Sequence, residues 1–429
     1  MILKNAKLLT MEQTEIIENG FLVVEGEKIK ALGDMRDYAV KEEGHEVLSL
    51  DGAWVLPGFI DAHSHIGLFD DGLDFEGDDG NEDTDPITPQ IRGIDGIFNG
   101  DKCFREAYEA GVSMVMTGPG SANVMGGQFA ILHTYEKTVE KAAIRAFAAQ
   151  KAAFGENPKR VYGKENKLPA TRMGAAALLR ETLFKALDYD KKWAFYEEKL
   201  LSWEKIQEEE PPERPDFDMQ LDSLRPLLHG EVPLKIHAHR QDDILTAVRL
   251  CNEFGLKYTL DHCTEGYLIS DILREEYLAG QRPGRGTGNK VEKGGQLLGV
   301  ITGPIICDRA KPELSNLSIK ATAKLKEAGL PVAIMTDHPC VPAQYLSLSS
   351  ALTIRGGMSV MEALSAITLT AAKIIGVDKE YGSLCVGKYA DITVFSGDPY
   401  HYLSKVLLFI GNGVIRYDAE QRSLSKEHK

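Results

Sequence analysis

The chain has 429 residues, 43% hydrophobic and 26% charged, with 41 Gly and 18 Pro, a globular usage that excludes fibrous and disordered chains. At about 150 residues per domain the length allows three domains, or two where one is a barrel of about 200 to 250 residues. The formal net charge of −15 would repel a phosphate backbone and argues against nucleic acid as a partner. No apolar run approaches the roughly 18 residues of a membrane span, and Met1 to Thr10 lacks the apolar stretch of a signal peptide, so a cytoplasmic location away from membranes is expected. The six cysteines stand singly along the chain, which predicts buried thiols and no disulfide or thiolate-metal framework.

In chain order, Met1 to Leu56 alternates short apolar runs with turn residues: Ile2 to Leu9, Gly20 to Val24, Ile29 to Leu32 and Glu46 to Leu50. This spacing predicts short antiparallel strands. Apolar runs then alternate with helical stretches, at Trp54 to Ile60, Val112 to Thr117, Ala146 to Phe154, Leu234 to Ala238, Tyr258 to Leu260, Gly299 to Ile305 and Val332 to Met335. Parallel strands with crossover helices produce that rhythm, and the length suffices for a (β/α)8 barrel with insertions. Helices are predicted at Asp101 to Ala110, Ile244 to Phe254, Lys320 to Ala328 and Ser359 to Ile375. Leu168 to His229 is charged and helical in composition and reads as an inserted excursion; Gln281 to Gly295, rich in Gly and basic residues, reads as a mobile loop. Ala390 to Phe395 and Val406 to Arg416 resume the short-strand pattern of the start. The expected division is a small domain from 1–56 plus 380–429 around a barrel of 57–379, with the helical insertion at about 163–230.

The strongest local signal is Pro57-Gly58-Phe59-Ile60-Asp61-Ala62-His63-Ser64-His65. On a strand, positions i and i+2 share a face, so both imidazoles can reach one cation, and neutral imidazole is a common ligand of zinc and its neighbours. Leu234-Lys235-Ile236-His237-Ala238-His239-Arg240 repeats the pattern, Tyr258-Thr259-Leu260-Asp261-His262 ends another apolar run with a histidine, and Val332 to Asp337 ends a fourth with a carboxylate. Each alone has an ordinary reading as a core or capping group. Five of the 11 histidines at three strand ends are not surface scatter, and residues just past parallel barrel strands converge on one rim. Gly118, Gly120, Gly126 and Gly127 read as a tight rim loop; they do not follow a dinucleotide or phosphate-loop pattern.

Leu56 to His65, the histidines around His237 and His262, Thr336-Asp337, and the ending Gly382 to Phe395 together resemble the amidohydrolase superfamily, within it the imidazolonepropionase-like branch. The resemblance covers nearly the whole chain. It implies an α/β fold: a distorted (β/α)8 TIM barrel holding one or two divalent metal ions, zinc foremost, with a small β-sandwich assembled from both chain ends. Carried onto matching positions, it makes His63, His65, His237, His262 and Asp337 metal ligands. A bridging group is also implied, for which the segment Ala148 to Pro158 offers Lys151, as a carboxylated lysine, and Glu156. Glu156 is preferred, since it stands where the apolar run stops, whereas Lys151 lies roughly 16 Å deeper on an extended strand at about 3.3 Å per residue. His239, Arg240 and His338 adjoin these positions as candidate substrate contacts.

The chemistry expected is hydrolysis of a non-ester carbon–nitrogen bond in a cyclic amide, N-acyl amino acid or dipeptide. Asp337 would be the general base and His262 either a ligand or a donor to the developing oxyanion. Arg240, if it faced the cavity, would favour a carboxylate-bearing substrate. The alternatives are a deaminase of the same superfamily or an inactive scaffold with the same barrel; a complete ligand set speaks against the scaffold. The expected partner is a small-molecule substrate, and family habit implies a homo-oligomer.

Overall fold

The computed structural model describes residues 1–12, 16–206, 210–282 and 294–420. Its strands in chain order are β1 Ile2–Leu9, β2 Ile16–Glu25, β3 Lys28–Asp34, β4 Val47–Ser49, β5 Trp54–Pro57, β6 Phe59–Ser64, β7 Val112–Thr117, β8 Met125–His133, β9 Ala143–Ala153, β10 Leu234–Ala238, β11 Lys257–His262, β12 Gln296–Thr302, β13 Val332–Ile334, β14 Ile392–Phe395, β15 Val406–Gly411 and β16 Val414–Asp418. They form two sheets. One runs β16-β15-β14-β5-β1-β2-β3 with β4 on β1, so strands from both ends of the chain share it; the other runs β13-β12-β11-β10-β9-β8-β7-β6.

The second sheet is a nearly closed barrel of eight strands. Its two ends meet where the Asp337 N–H donates to the His63 carbonyl (3.2 Å) and the His65 N–H to the His338 carbonyl (3.0 Å). The neighbours from β9 to β13, and β6 with β7, are parallel. The exception is β8, antiparallel to both β7 and β9; Gly118 and Gly120 lie in the connection ahead of it, as the expected rim loop, and the later part of that loop is strand. Gly126 and Gly127 lie inside this strand. A Cβ at Gly127 would come 2.3 Å from the Ile91 carbonyl oxygen, and one at Gly118 would come 2.4 Å from the Phe129 ring. Here glycine serves the close approach of backbone and ring, and β8 is the strand that apolar runs alone did not single out.

Between β9 and β10 stands a 35-residue helix, Arg172–Ile206, where the charged excursion was expected. It is held because Ala175, Leu179, Leu183 and Ala186 recur at helical spacing and are buried in the core beside β10 and helix Gln241–Phe254. Arg180 adds a guanidinium pair to Glu253 at 2.9 Å. Most of the Gln281 to Gly295 segment, expected to be a loop, lies outside the described residues. Among the described residues no helix is long and apolar enough to cross a membrane.

Candidate metal centre

Strand alternation builds the floor of the site. Asp61, His63 and His65 follow one another at i, i+2, i+4 along and just past β6, as do Lys235, His237 and His239 along β10, and all six are buried. Period-two geometry turns each trio to one face of its strand, here the barrel interior. His262 and Asp337 arrive differently. Both have positive φ, 64° and 55°, where non-glycine residues are uncommon, and this turns them inward as β11 ends and just beyond β13.

Two groups of three donors result: His63, His65 and Asp337, and His237, His239 and His262, with the ligand atoms of each group within 4.8 Å of one another. The His63 and His262 ring centroids are 5.5 Å apart, so the groups face each other across the barrel mouth.

The hydrogen bonds decide what the first group can hold. His65 Nδ1 lies 2.6 Å from the Gly118 carbonyl oxygen and His262 Nδ1 lies 3.0 Å from that of Gly303. A carbonyl only accepts, so in both rings Nδ1 carries the proton and Nε2 keeps a bare lone pair. His63 Nδ1 is 2.6 Å from Asp261 Oδ2, and that carboxyl is held ionised: burial raises it, and Lys235 and His63 outweigh burial and bring it well below the ordinary range. The His63 and His65 Nε2 atoms thus face each other at 3.4 Å, and Asp337 Oδ1 at 3.4 and 3.3 Å. Three acceptors with no proton among them repel one another unless a cation lies between. The donor set fits a divalent ion.

Electrostatics agree. Burial, with Lys151 and Lys235 nearby, holds His63 down to about 4. Burial and Lys311 hold His239 at about 3, and burial also keeps His237 and His262 well below an ordinary imidazole. Neutral imidazole is the ligating form. Burial raises the Asp337 carboxyl, but His262, His63 and His65 outweigh it and leave it well below the usual range. Beneath lies Lys151, fully buried, its Nζ without a hydrogen-bond partner among the described residues, 5.2 Å from the Phe129 ring centroid. Burial brings its amine down to about 8.

Residues 295–424 match the amidohydrolase family. The crystal structure of an amidohydrolase from Thermotoga maritima MSB8 superposes with a TM-score of 0.86 and 34% identity, covering 97% of this chain and 99% of that one.

The chain belongs to the amidohydrolase family.

Amidohydrolase tasK of Hapsidospora irregularis is 27% identical over 398 residues, 89% of this chain; the chain spans 38% of the length of that relative. A 76-residue stretch is 41% identical to a 5-methylthioadenosine/S-adenosylhomocysteine deaminase of Bacillus thuringiensis, covering 16% of this chain and 17% of that one.

Within this amidohydrolase, His65, His237, His239, His262 and Asp337 line one cavity of about 380 Å3, with His63 buried behind them. Three expectations are corrected. Glu156 does not join the histidines: Gly155, at φ 90°, turns the chain and Glu156 opens helix Glu156–Lys164, so its side chain lines a separate depression with Lys159, Arg160 and Arg240. Lys151 starts deeper on β9, but its long side chain is buried inside the barrel with Nζ 5.2 Å from the Phe129 ring centroid, so depth along the strand does not favour Glu156. Arg240 turns away from the cavity; it pairs with Asp242 at 3.0 Å and is 44% exposed, which removes the basis for its grip on a substrate carboxylate. His338 does not line the cavity; its Nδ1 accepts the Ala343 N–H at 3.3 Å.

Other residues escaped the sequence reading. Asp261 and Lys235 are buried charges under the histidines, joined at 2.9 Å. Glu313, 1% exposed, stands 3.8 Å from His239 Nε2. Asn157 and Lys311 line the cavity. A signal existed for the first two: charged residues two before a histidine, or one before it, inside an apolar run. Glu313, Asn157 and Lys311 sit on connecting segments with no periodic signature.

Proposed function

We propose that this amidohydrolase hydrolyses an amide carbon–nitrogen bond of a small molecule at a divalent metal centre, zinc foremost, formed by His63, His65, His237, His262 and Asp337. The observation that carries the reading is the set of three unprotonated acceptors, His63 Nε2, His65 Nε2 and Asp337 Oδ1, turned toward one point. A divalent ion bound there supplies Lewis-acid polarisation of the scissile carbonyl and lowers the pKa of water toward neutrality.

The chain's own groups do the rest. Asp337 is held ionised and borders the cavity, so it takes the proton of the attacking water and returns it to the leaving nitrogen. Asp261 keeps His63 in the tautomer whose Nε2 faces the site. His239, with Nδ1 2.8 Å from Thr264 Oγ1, belongs with the donors of the second group, a role beyond the substrate contact first expected. Lys151 is the better bridging candidate than Glu156. Its unpartnered amine adds to carbon dioxide with loss of a proton, and the carbamate anion then offers oxygens where the ammonium would repel a cation.

The test is a hydrolysis screen of cyclic amides, as the imidazolonepropionase-like resemblance suggests, with N-acyl amino acids and dipeptides, with zinc or manganese added. Turnover of one class, abolished by chelation, supports the reading; a metal-free, chelator-indifferent protein without turnover overturns it.

Deamination is the second reading, favoured by the 41% identical stretch shared with a deaminase. The same residues would deliver water to an amidine-like carbon. Release of free ammonia from an aminated heterocycle, with no amide cleaved, would select it.

A further inference from the structure

We infer that Lys311 is the specificity determinant of this cavity and that the substrate bears a carboxylate, an N-acyl amino acid or dipeptide in place of an uncharged cyclic amide or a nucleoside. The inference rests on the hydrolase reading and deepens it.

Among the described residues, Lys311 is the only Lys or Arg that lines the cavity holding His237, His262 and Asp337. Its Nζ donates to Asn157 Oδ1 at 2.8 Å, and no carboxylate lies within ion-pair distance of it among the described residues, unlike Arg240 with Asp242 and Arg172 with Asp243. An ammonium has three donors. One is spent on an uncharged amide and two remain to face a cavity whose wall is mostly apolar.

Asn157 fixes the position. Its Nδ2 donates to Ser121 Oγ at 2.9 Å and lies 3.3 Å from His237 Nε2. The ammonium is thereby tied through one side chain to a histidine of the metal centre, within the span of a small molecule. Of the two carboxylates on the same wall, Asp337 faces the histidines and Asp308 accepts the N–H of Ala310 at 3.2 Å; neither pairs with Lys311, and buried Glu313, which feels the Lys311 charge, stands 3.8 Å from His239 Nε2 instead. Phe69, Leu314 and Leu317 add apolar wall for an amino-acid side chain. A cavity of about 380 Å3 is at the small end of ligand sites, which suits an acylated amino acid.

The probes are N-acetyl-L-leucine and N-acetyl-L-leucinamide, which differ in the carboxylate alone, titrated calorimetrically and assayed with zinc-loaded full-length protein and its Lys311→Met variant. The wild type is expected to bind the acid about 10- to 100-fold more tightly than the amide, the range of one charged hydrogen bond, and Lys311→Met to erase that preference while binding the amide as before. Lys311→Arg is expected to restore part of it, and an unchanged thermal midpoint shows each variant folded. A wild type that binds both probes alike or neither, or a Lys311→Met variant that still prefers the acid, overturns the inference. A wild type that binds the acid selectively but cleaves neither it nor any amide of the hydrolysis screen overturns the hydrolase reading and leaves the carboxylate subsite standing.

Discussion

His63 and Asp261 are 198 positions apart and are joined by a 2.6 Å contact from Nδ1 to Oδ2, and that same oxygen accepts from Lys235 Nζ at 2.9 Å. One carboxylate therefore sets a ligand's tautomer and neutralises a buried ammonium.

Asp261→Asn should weaken metal retention by about 10- to 100-fold, the usual cost of losing an outer partner of a metal-bound histidine, read by chelator competition. It should also destabilise the fold by about 3 to 5 kcal/mol, because Lys235 is left charged and unpaired in the interior. Adding Lys235→Met should recover stability without metal affinity; recovery of both would disprove the orienting role.

Asp337→Asn should retain metal and lower kcat by about 10² to 10⁴, the worth of a positioned base. Elemental analysis and turnover are measured together. Near-normal turnover with metal in place would remove Asp337 from proton transfer.

A carbamate on Lys151 would bridge two ions, so Lys151→Met should hold fewer metal ions per chain than the wild type. Reactivation of the metal-free wild type should depend on added bicarbonate, and that of the variant should not. Two ions in Lys151→Met would rule out a carbamate bridge.

Acid should destabilise the metal-free protein early. His63 and His338 are held at about 4 and His239 at about 3, against 6.5 for a free imidazole. Between about 6.5 and 4 the unfolded chain takes up protons that the folded one refuses, so stability rises with pH and is lost as pH falls through this window. Each histidine contributes up to about 1.4 kcal/mol per pH unit. Asp61, raised by burial to about 7, acts in the opposite sense and offsets one of them. A urea midpoint that holds or rises from pH 7 to 5 after chelation would contradict this.

Arg240→Met and Glu156→Gln should each leave kcat/KM within roughly twofold of the wild type, about 0.5 kcal/mol of transition-state stabilisation. A larger loss would place these side chains in the cavity after all.

What the sequence determined by itself was whatever repeats along one strand. Apolar runs ending in His63-Ser64-His65, His237-Ala238-His239 and His262 marked the barrel strands and most of the donors, because side-chain direction in a strand alternates with period two. Tertiary structure alone decided the rest. The antiparallel β8 depends on glycines accommodating Ile91 and Phe129 from distant segments, and the placing of Lys151 ahead of Glu156 depends on a turn at Gly155. The exclusion of Arg240 and the entry of Lys311 depend on which charged side chains find a partner at the surface and which do not. Those are contacts between segments far apart in the chain, and local periodicity carries no record of them.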